Sequence, residues 1–183
     1  MRTSLPGAPL PLVLAVAIAA ASLYCFDAAA ADAVADSCNA IRGFVNVSFC
    51  VSRLGAVPGA AAADRHGHLL MAADLAAASG ASAGDAAARM ERAESDPAVR
   101  DALHACGFLY GVSSVPALRI MRRYAAARSW DAAHAVFMLA VQAGTDCDAA
   151  LGSSAGRTMA AANHEFDELA TMATALLNTF SAR

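Results

Sequence analysis

The stretch DPAVRDALHACGFLYGVSSVPALRIMRRY, residues 96–124, decides the fold class of this chain. Asp96 can cap the N-terminus of a helix, and Pro97 suits the first helical position because the N–H that proline lacks would have no partner there. From that start, residues suited to packing recur at alternating steps of four and three, which is the spacing of one helix face. They are Val99, Leu103, Cys106, Tyr110, Ser113, Ala117, Ile120 and Tyr124. The pattern predicts one long helix with a single packing face, kinked at Pro116 because proline removes a backbone hydrogen bond.

The rest of the mature chain has the composition of helix almost throughout, since alanine is the best helix former and β-branched residues are scattered. Gly80 and Gly84 weaken the first long helix by up to about 1 kcal/mol each. Ser129 is expected to cap the third main helix, and residues 151–156 are expected to form a Gly/Ser loop. The predicted segments are a helical pair at 34–54 and main helices at 60–94, 97–124, 129–147 and 157–180. They predict an all-α fold, an up-down-up-down four-helix bundle with an N-terminal helical hairpin.

The N-terminus has the pattern of a secretory signal peptide. Arg2 supplies a positive charge, Leu12 to Phe26 carry none, and Ala28 to Ala30 provide the small residues that a signal peptidase requires. The uncharged run of about 15 residues is shorter than the roughly 20 needed to span a bilayer, which disfavours a retained anchor. We expect residues 1–31 to be cleaved and the mature domain, residues 32–183, to be secreted. Its predicted parts are the hairpin, 32–57, and the bundle, 58–183.

The cysteines indicate the same compartment. Cys25 lies in the apolar run and would leave with the signal peptide, so the four that remain are an even set. In an oxidising compartment we expect two disulfides, which typically stabilise a domain by about 2–4 kcal/mol each. Four cysteines allow three pairings, and the sequential pairing suits the helix layout best. The four are Cys38, Cys50, Cys106 and Cys147.

Composition and motifs disfavour several classes of function. The 13 basic residues are all arginine, against 16 acidic ones and a net charge of −3, and no basic run occurs, which disfavours nucleic-acid binding. His66 and His68 lack the partners of a structural zinc site, so we expect them to be solvent-exposed at a helix start. Residues 152–156 read Gly-Ser-Ser-Ala-Gly, but this hydrolase motif needs a strand-to-helix turn, and no strand is predicted there. The sequence predicts neither catalytic residues nor a cofactor or metal.

A set of characteristically spaced residues runs along the chain: Cys38, Gly43, Phe44, Phe49, Cys50, Val51, Leu54, Ala102, Leu103, Cys106, Tyr110, Trp130, Asp131, Ala132, Cys147, Asp148, Asn163 and Leu169. The spacing of these residues resembles that of the plant invertase and pectin methylesterase inhibitor family. The resemblance implies a helical hairpin on a four-helix bundle, with disulfides Cys38–Cys50 and Cys106–Cys147. It also implies a non-catalytic protein that forms a one-to-one complex with a secreted carbohydrate-active enzyme and covers its active-site cleft, in the apoplast or cell wall or else in the vacuole.

The target is inferred from one departure from the family. Invertase inhibitors of this family tend to carry Pro-Lys-Phe before the third helix, where this chain has Ala127 to Asp131, reading Ala-Arg-Ser-Trp-Asp. The difference favours a pectin methylesterase as target. A cell-wall or vacuolar acid invertase is the alternative, and a non-inhibitory secreted helical interaction module is a second.

Two surface sites are predicted. Arg122, Arg128, Trp130 and Asp131 are candidates for partner binding because tryptophan and arginine are enriched among interface hot spots, although Trp130 would also suit packing at the bundle end. Asn46 begins an Asn-Val-Ser sequon for N-glycosylation, which a tightly folded hairpin could leave unused. No membrane contact is expected once the signal peptide has been removed.

Overall fold

The computed structural model describes the backbone of residues 33–180 and their side chains apart from those of residues 153–158. Within this part of the chain every regular element is helical and no strand occurs, so the prediction of an all-α fold is confirmed. Helix α1 covers residues 33–40. The other elements are α2 (Val47–Gly55), a 3₁₀ turn (Ala60–Ala62), α3 (Arg65–Ala93), α4 (Pro97–Phe108), a π-helical turn (Leu109–Ser114), α5 (Val115–Ala126), α6 (Trp130–Phe137) and α7 (Ala143–Asn178).

The core forms where α3 packs against α4, α5 and α7 and where α5 meets α6. Alanines of α3 fill much of the space between these helices, so their backbones can approach closely. The largest fully buried side chains of this core include Leu69, Tyr110, Leu118, Met121, Phe166, Leu169, Met172 and Leu176. The up-down-up-down order of the main helices stays a prediction.

The N-terminal hairpin consists of α1 and α2, joined by residues 41–46. Cys38 on α1 is disulfide-bonded to Cys50 on α2, which is one of the pairs that the family resemblance implies. Asn46 caps α2, since its Oδ1 accepts hydrogen bonds from the backbone N–H groups of Ser48 and Phe49 at 2.9 and 3.2 Å. Arg53 of α2 forms an ion pair with Glu165 of α7. A covalent bond therefore closes the hairpin, and an ion pair ties it to the bundle.

The predicted packing face of residues 96–124 is right in its first half and wrong in its second. Leu103, Cys106 and Tyr110 are buried, but the π-helical turn follows, and an i→i+5 turn holds about one residue more than an α-helical turn. The buried face therefore advances by one position. The side chains buried from the last residue of the turn onward include those of Ser114, Leu118, Met121 and Ala125, in place of the predicted Ser113, Ile120 and Tyr124. Ala117 is buried as predicted. We predicted a kink at Pro116. The irregular segment in this region is the π-helical turn, which ends at Ser114, two residues before the proline.

Two predicted boundaries in the second half of the chain are wrong. Ser129 is the N-cap residue of α6 but its side chain makes no capping hydrogen bond, and α6 ends at Phe137, well short of Cys147. The helix resumes at Ala143 in α7, whose only non-helical residue is Gly152, with φ of 64°. Glycine adopts this left-handed region without steric cost. The predicted loop over residues 151–156 is therefore a break at one residue, and the alanine-rich chain is helical on both sides of it.

The prediction that both histidines at the start of α3 are solvent-exposed is wrong. His68 is fully buried, where its Nε2 donates to the backbone oxygen of Ala60 at 2.8 Å and its Nδ1 is hydrogen-bonded to Ser37 Oγ at 2.8 Å. His66 is half-buried and its Nε2 donates to the backbone oxygen of Ala125 at 2.9 Å. Both side chains tie neighbouring segments to the N-terminal end of α3.

The predicted signal peptide, its cleavage site and Cys25 lie outside the described residues. No helix in the described part of the chain is both long and apolar enough to cross a membrane. The boundary between hairpin and bundle near residue 57 stays a prediction.

Candidate protein-docking site

A polar network, buried at Tyr110 and Asn163, joins the π-helical turn to α7. The hydroxyl of Tyr110 donates to Asn163 Oδ1 at 2.7 Å, and Asn163 Nδ2 donates to Asp148 Oδ1 at 2.5 Å. The disulfide Cys106–Cys147 joins the same two segments of chain. Burial, reinforced by the nearby carboxylates of Asp167 and Asp148, raises the pKa of the Tyr110 hydroxyl, so it remains a hydrogen-bond donor. Tyr110, Asp148 and Asn163 are among the residues that carry the family resemblance, and here they form one bracing unit.

A second brace fastens the first turn of α7 to its C-terminal half. The Thr145 hydroxyl donates to Asp167 Oδ2 at 3.2 Å, and Gly144 lies so close to this carboxylate that any side chain at position 144 would collide with it. Burial raises the pKa of Asp167, although the hydrogen bond from Thr145 partly opposes this. The two braces thus tie together the helical stretches on either side of the break at Gly152.

On this scaffold, large apolar side chains face solvent along one side of the α4–α5 helix and at the end of α6. We name Phe108, Val112, Ile120 and Leu139 the apolar face; their exposed fractions are 58, 62, 43 and 62%. Val112, Ile120 and Leu139 line one cavity of about 220 Å³, and Ser113 Oγ donates to the backbone oxygen of Leu139 at 3.3 Å. An exposed apolar area of this kind on a soluble protein commonly marks a site of protein interaction.

A larger groove of about 540 Å³ adjoins the apolar face at Val112 and runs between α3 and α4. Gly80, Gly84, Gly107 and Gly111 line it, so its floor is shallow and backbone-rich. Charged side chains of both signs lie at its rim; they are Asp85, Glu91 and Arg119. His104 also lies there, with its Nδ1 3.0 Å from Glu91 Oε1. An apolar centre with a charged rim is the usual composition of a protein–protein interface.

Neither a metal-binding cluster nor a hydrolase-type strand-to-helix turn is formed by the described residues. Among the described residues, no group of three histidine, cysteine, aspartate or glutamate side chains is arranged to hold a metal ion. Gly152, which begins the hydrolase-like motif, lies between two helical stretches of α7 and follows no strand. The arrangement is suited to binding by shape and apolar contact.

The residues predicted for partner binding lie on α5, at the start of α6 and in the short segment between these helices. Trp130 is half-buried, because its ring stacks on Phe180 with centroids 4.7 Å apart and meets the edge of His66 at 5.6 Å. Arg128 and Asp131 are exposed, and Arg128 has φ of 57°, a left-handed conformation unusual for arginine. Arg122 Nε lies 2.6 Å from Asp74 Oδ1 of α3. The structure therefore gives Trp130 a packing role and pairs Arg122 with an acidic neighbour.

Sequence reasoning missed the apolar face. Phe108 and Val112 are spaced i, i+4, a signal for a second face, but they lie off the predicted packing face and were not selected. Ile120 was predicted to be buried and is instead brought to the surface by the π-helical turn. Leu139 was missed because the third helix was predicted to continue through that position.

Most of the chain matches the model of one known protein family. Residues 32–176 match the model described as plant invertase/pectin methylesterase inhibitor. Proteins of this family inhibit pectin methylesterases or invertases, are not enzymes themselves and are typically secreted to the apoplast. No curated protein matches the chain significantly. Because the family model covers well over half of the sequence, this protein belongs to the plant invertase/pectin methylesterase inhibitor family.

Proposed function

We propose that the protein is secreted to the apoplast and inhibits a pectin methylesterase by forming a one-to-one complex over its active-site cleft. The observation that supports this most is the apolar face, which lies on a rigid scaffold in a chain from a family of inhibitors. Docking of Phe108, Val112 and Leu139 would remove apolar surface from water at about 25 cal/mol per Å². The inhibitor acts by excluding substrate and requires no chemistry of its own.

Rigidity supports the inhibitor role. The disulfide Cys106–Cys147 and the network around Asn163 hold the helices in one arrangement before any partner arrives. A pre-organised surface loses little conformational entropy on binding, so more of the contact energy is retained as affinity.

The segment between α5 and α6 supports a pectin methylesterase rather than an invertase. Residues 127–131 lack the Pro-Lys-Phe that invertase inhibitors of the family tend to carry. A cell-wall or vacuolar acid invertase remains the alternative target, with the vacuole as the corresponding site of action. A non-inhibitory helical interaction module is the second alternative.

Titration of the oxidised mature protein against a pectin methylesterase and an acid invertase, at several pH values, tests the proposal. We expect methylesterase activity to fall to a plateau at one equivalent, with the invertase unaffected. Loss of invertase activity alone would show that the target is an acid invertase instead. If neither enzyme lost activity, the result would contradict inhibition and favour the non-inhibitory interaction module.

Matched variants test the surface. Val112→Arg places a charge at the centre of the apolar face and should weaken inhibition by at least about tenfold, the effect of about 1.4 kcal/mol. Val51→Arg makes the same change on α2, where Val51 is 36% exposed, and should inhibit like the wild type. Equal inhibition by both variants, with unchanged unfolding midpoints, would show that the apolar face does not dock.

We further propose that Arg122, Arg128, Trp130 and Asp131 extend the contact beyond the apolar face. Arg128→Gly removes the guanidinium group while suiting the left-handed backbone, so it should lower affinity without loss of stability. Trp130→Ala should lower both, because its ring also packs on Phe180. If the Trp130→Ala variant folded and still inhibited fully, the proposed contact beyond the apolar face would be ruled out.

A further inference from the structure

The amide of Asn46 is held in one orientation by the helix that it caps. Its Oδ1 accepts hydrogen bonds from the backbone N–H groups of Ser48 and Phe49, whereas its Nδ2 donates no hydrogen bond within the described residues. Asn46 and Ser48 are both exposed. The nitrogen atom of the sequon is therefore free, and a substituent on it would leave the cap of α2 in place because the cap uses only the oxygen.

An exposed aromatic side chain lines the same groove as Asn46. Phe44, two residues before Asn46, is 69% exposed, the highest fraction among the exposed large apolar residues. Phe44 and Asn46 line one groove of about 160 Å³ between the hairpin turn and α7, and Asp167, Glu168 and Thr171 of α7 line its other side. The groove thus combines one aromatic wall with carboxylate and hydroxyl groups, which suits a sugar ring with an apolar face and hydroxyl edges.

We propose that Asn46 carries an N-linked glycan whose first N-acetylglucosamine packs against Phe44 in this groove. In the transfer, a bond forms between Asn46 Nδ2 and the anomeric carbon of the sugar. The bond between that carbon and the pyrophosphate oxygen of a lipid-linked oligosaccharide donor breaks, so lipid pyrophosphate leaves. Nδ2 loses one proton to a base of the transferase. This proposal rests on the secretion proposed above but not on inhibition of any enzyme.

The position explains why the modification would be tolerated. The glycan would cover an exposed phenylalanine on the hairpin, while none of the four residues of the apolar face lines this groove. Burial of the Phe44 ring under the sugar should stabilise the hairpin against the bundle.

Mass spectrometry of the full-length chain expressed in plant cells tests the modification. We expect the peptide containing Asn46 to carry hexosamine and to lose it on glycosidase treatment. Ser48→Ala should abolish the modification while it retains Asn46 and the backbone donors of the cap. An unmodified Asn46 peptide, wherever in the culture the wild-type protein is recovered, would overturn the proposal.

Thermal unfolding tests the packing on Phe44. The glycosylated wild type should unfold about 2–4 °C above unglycosylated Ser48→Ala. In a Phe44→Ala background this difference should vanish, although the glycan is still attached; Phe44→Ala should fold because the ring is largely exposed. A difference of the same size without Phe44 would overturn the packing.

Discussion

At the scale of single residues, glycines in the middle of α3 allow three helices to meet. A Cβ atom at Gly80 would lie 2.8 Å from Phe166 Cε2 and 2.9 Å from Val115 Cγ2, and one at Gly84 would lie 3.1 Å from Tyr110 Cβ. Helix propensity alone disfavours glycine at both positions. Close packing of α5 and α7 on α3 therefore outweighs local propensity there.

Gly80→Ala should lower the free energy of unfolding by about 1–2 kcal/mol, because overpacking outweighs the gain in helix propensity. Gly107→Ala in α4 is the matched control, since a Cβ there meets no atom within 4 Å, and it should raise stability by about 0.5–1 kcal/mol. Denaturant unfolding of both variants measures the difference. A Gly80→Ala protein as stable as Gly107→Ala would contradict this account.

Asp167 makes stability depend on pH. Burial raises its folded-state pKa above the ordinary value of 3.8, so the folded state binds this proton more tightly than the unfolded state does. The corresponding contribution to stability is fully present below pH 3.8 and is lost as the pH rises through the folded-state pKa.

Asp167→Asn cannot ionise and keeps an oxygen that can accept from Thr145. Its free energy of unfolding relative to wild type should therefore increase as the pH rises above 3.8 and level off once Asp167 is ionised in the folded protein. Urea unfolding of both proteins from about pH 3 to pH 7 checks the sign. A relative stability that stays constant or decreases over this range would rule out a raised pKa.

At the scale of elements, the π-helical turn decides which residues of the α4–α5 helix enter the core. Relative to a continuous α-helix, the turn adds one residue between Tyr110 and Leu118. The buried residues of α4 and α5 therefore face the same core, although they do not follow one continuous α-helical spacing. The same insertion turns Ile120 and Tyr124 outward, where Ile120 joins the apolar face. One local irregularity thus affects both the core and the candidate docking surface.

Met121→Ala should lower the free energy of unfolding by about 2–5 kcal/mol, because Met121 is fully buried and its loss leaves a cavity. Ile120→Ala removes a neighbouring side chain that is 43% exposed and should cost less than about 1 kcal/mol. Equilibrium unfolding of the pair distinguishes the observed register from the predicted one. A larger loss of stability in Ile120→Ala than in Met121→Ala would instead support the packing face predicted for a continuous α-helix.

At the scale of the whole molecule, two disulfides close loops of different length. Cys38–Cys50 spans 12 residues within the hairpin, and Cys106–Cys147 spans 41 residues between bundle helices. A longer closed loop restricts the unfolded chain more, so the second bridge should contribute the larger share of stability.

Replacing Cys106 and Cys147 by alanine should cost about 4 kcal/mol, against about 3 kcal/mol for the same change at Cys38 and Cys50. Unfolding of both double variants under identical conditions gives the comparison. The order would be contradicted if loss of the hairpin bridge were as costly as loss of the bundle bridge.

Local signals predicted much of this molecule and failed where packing overrode them. The cap and proline at Asp96 and Pro97 were read directly, since both act within one turn. His68 was misassigned because its partners Ser37 and Ala60 come from other elements of the fold. The face of α5 was misassigned because the π-helical turn leaves no simple mark in the hydrophobic spacing.

The helical class, the family and the four cysteines at positions 38, 50, 106 and 147 could be read from the sequence, because alanine content, the spacing of packing residues and cysteine positions are local properties of the chain. Tertiary structure alone decided which face of residues 96–124 became the core. It also placed Tyr110, Asp148 and Asn163 in one network and left Phe108 and Val112 in solvent. The physical reason is that burial depends on which helices meet, and contacts between segments far apart in the chain select among the registers that local propensity permits.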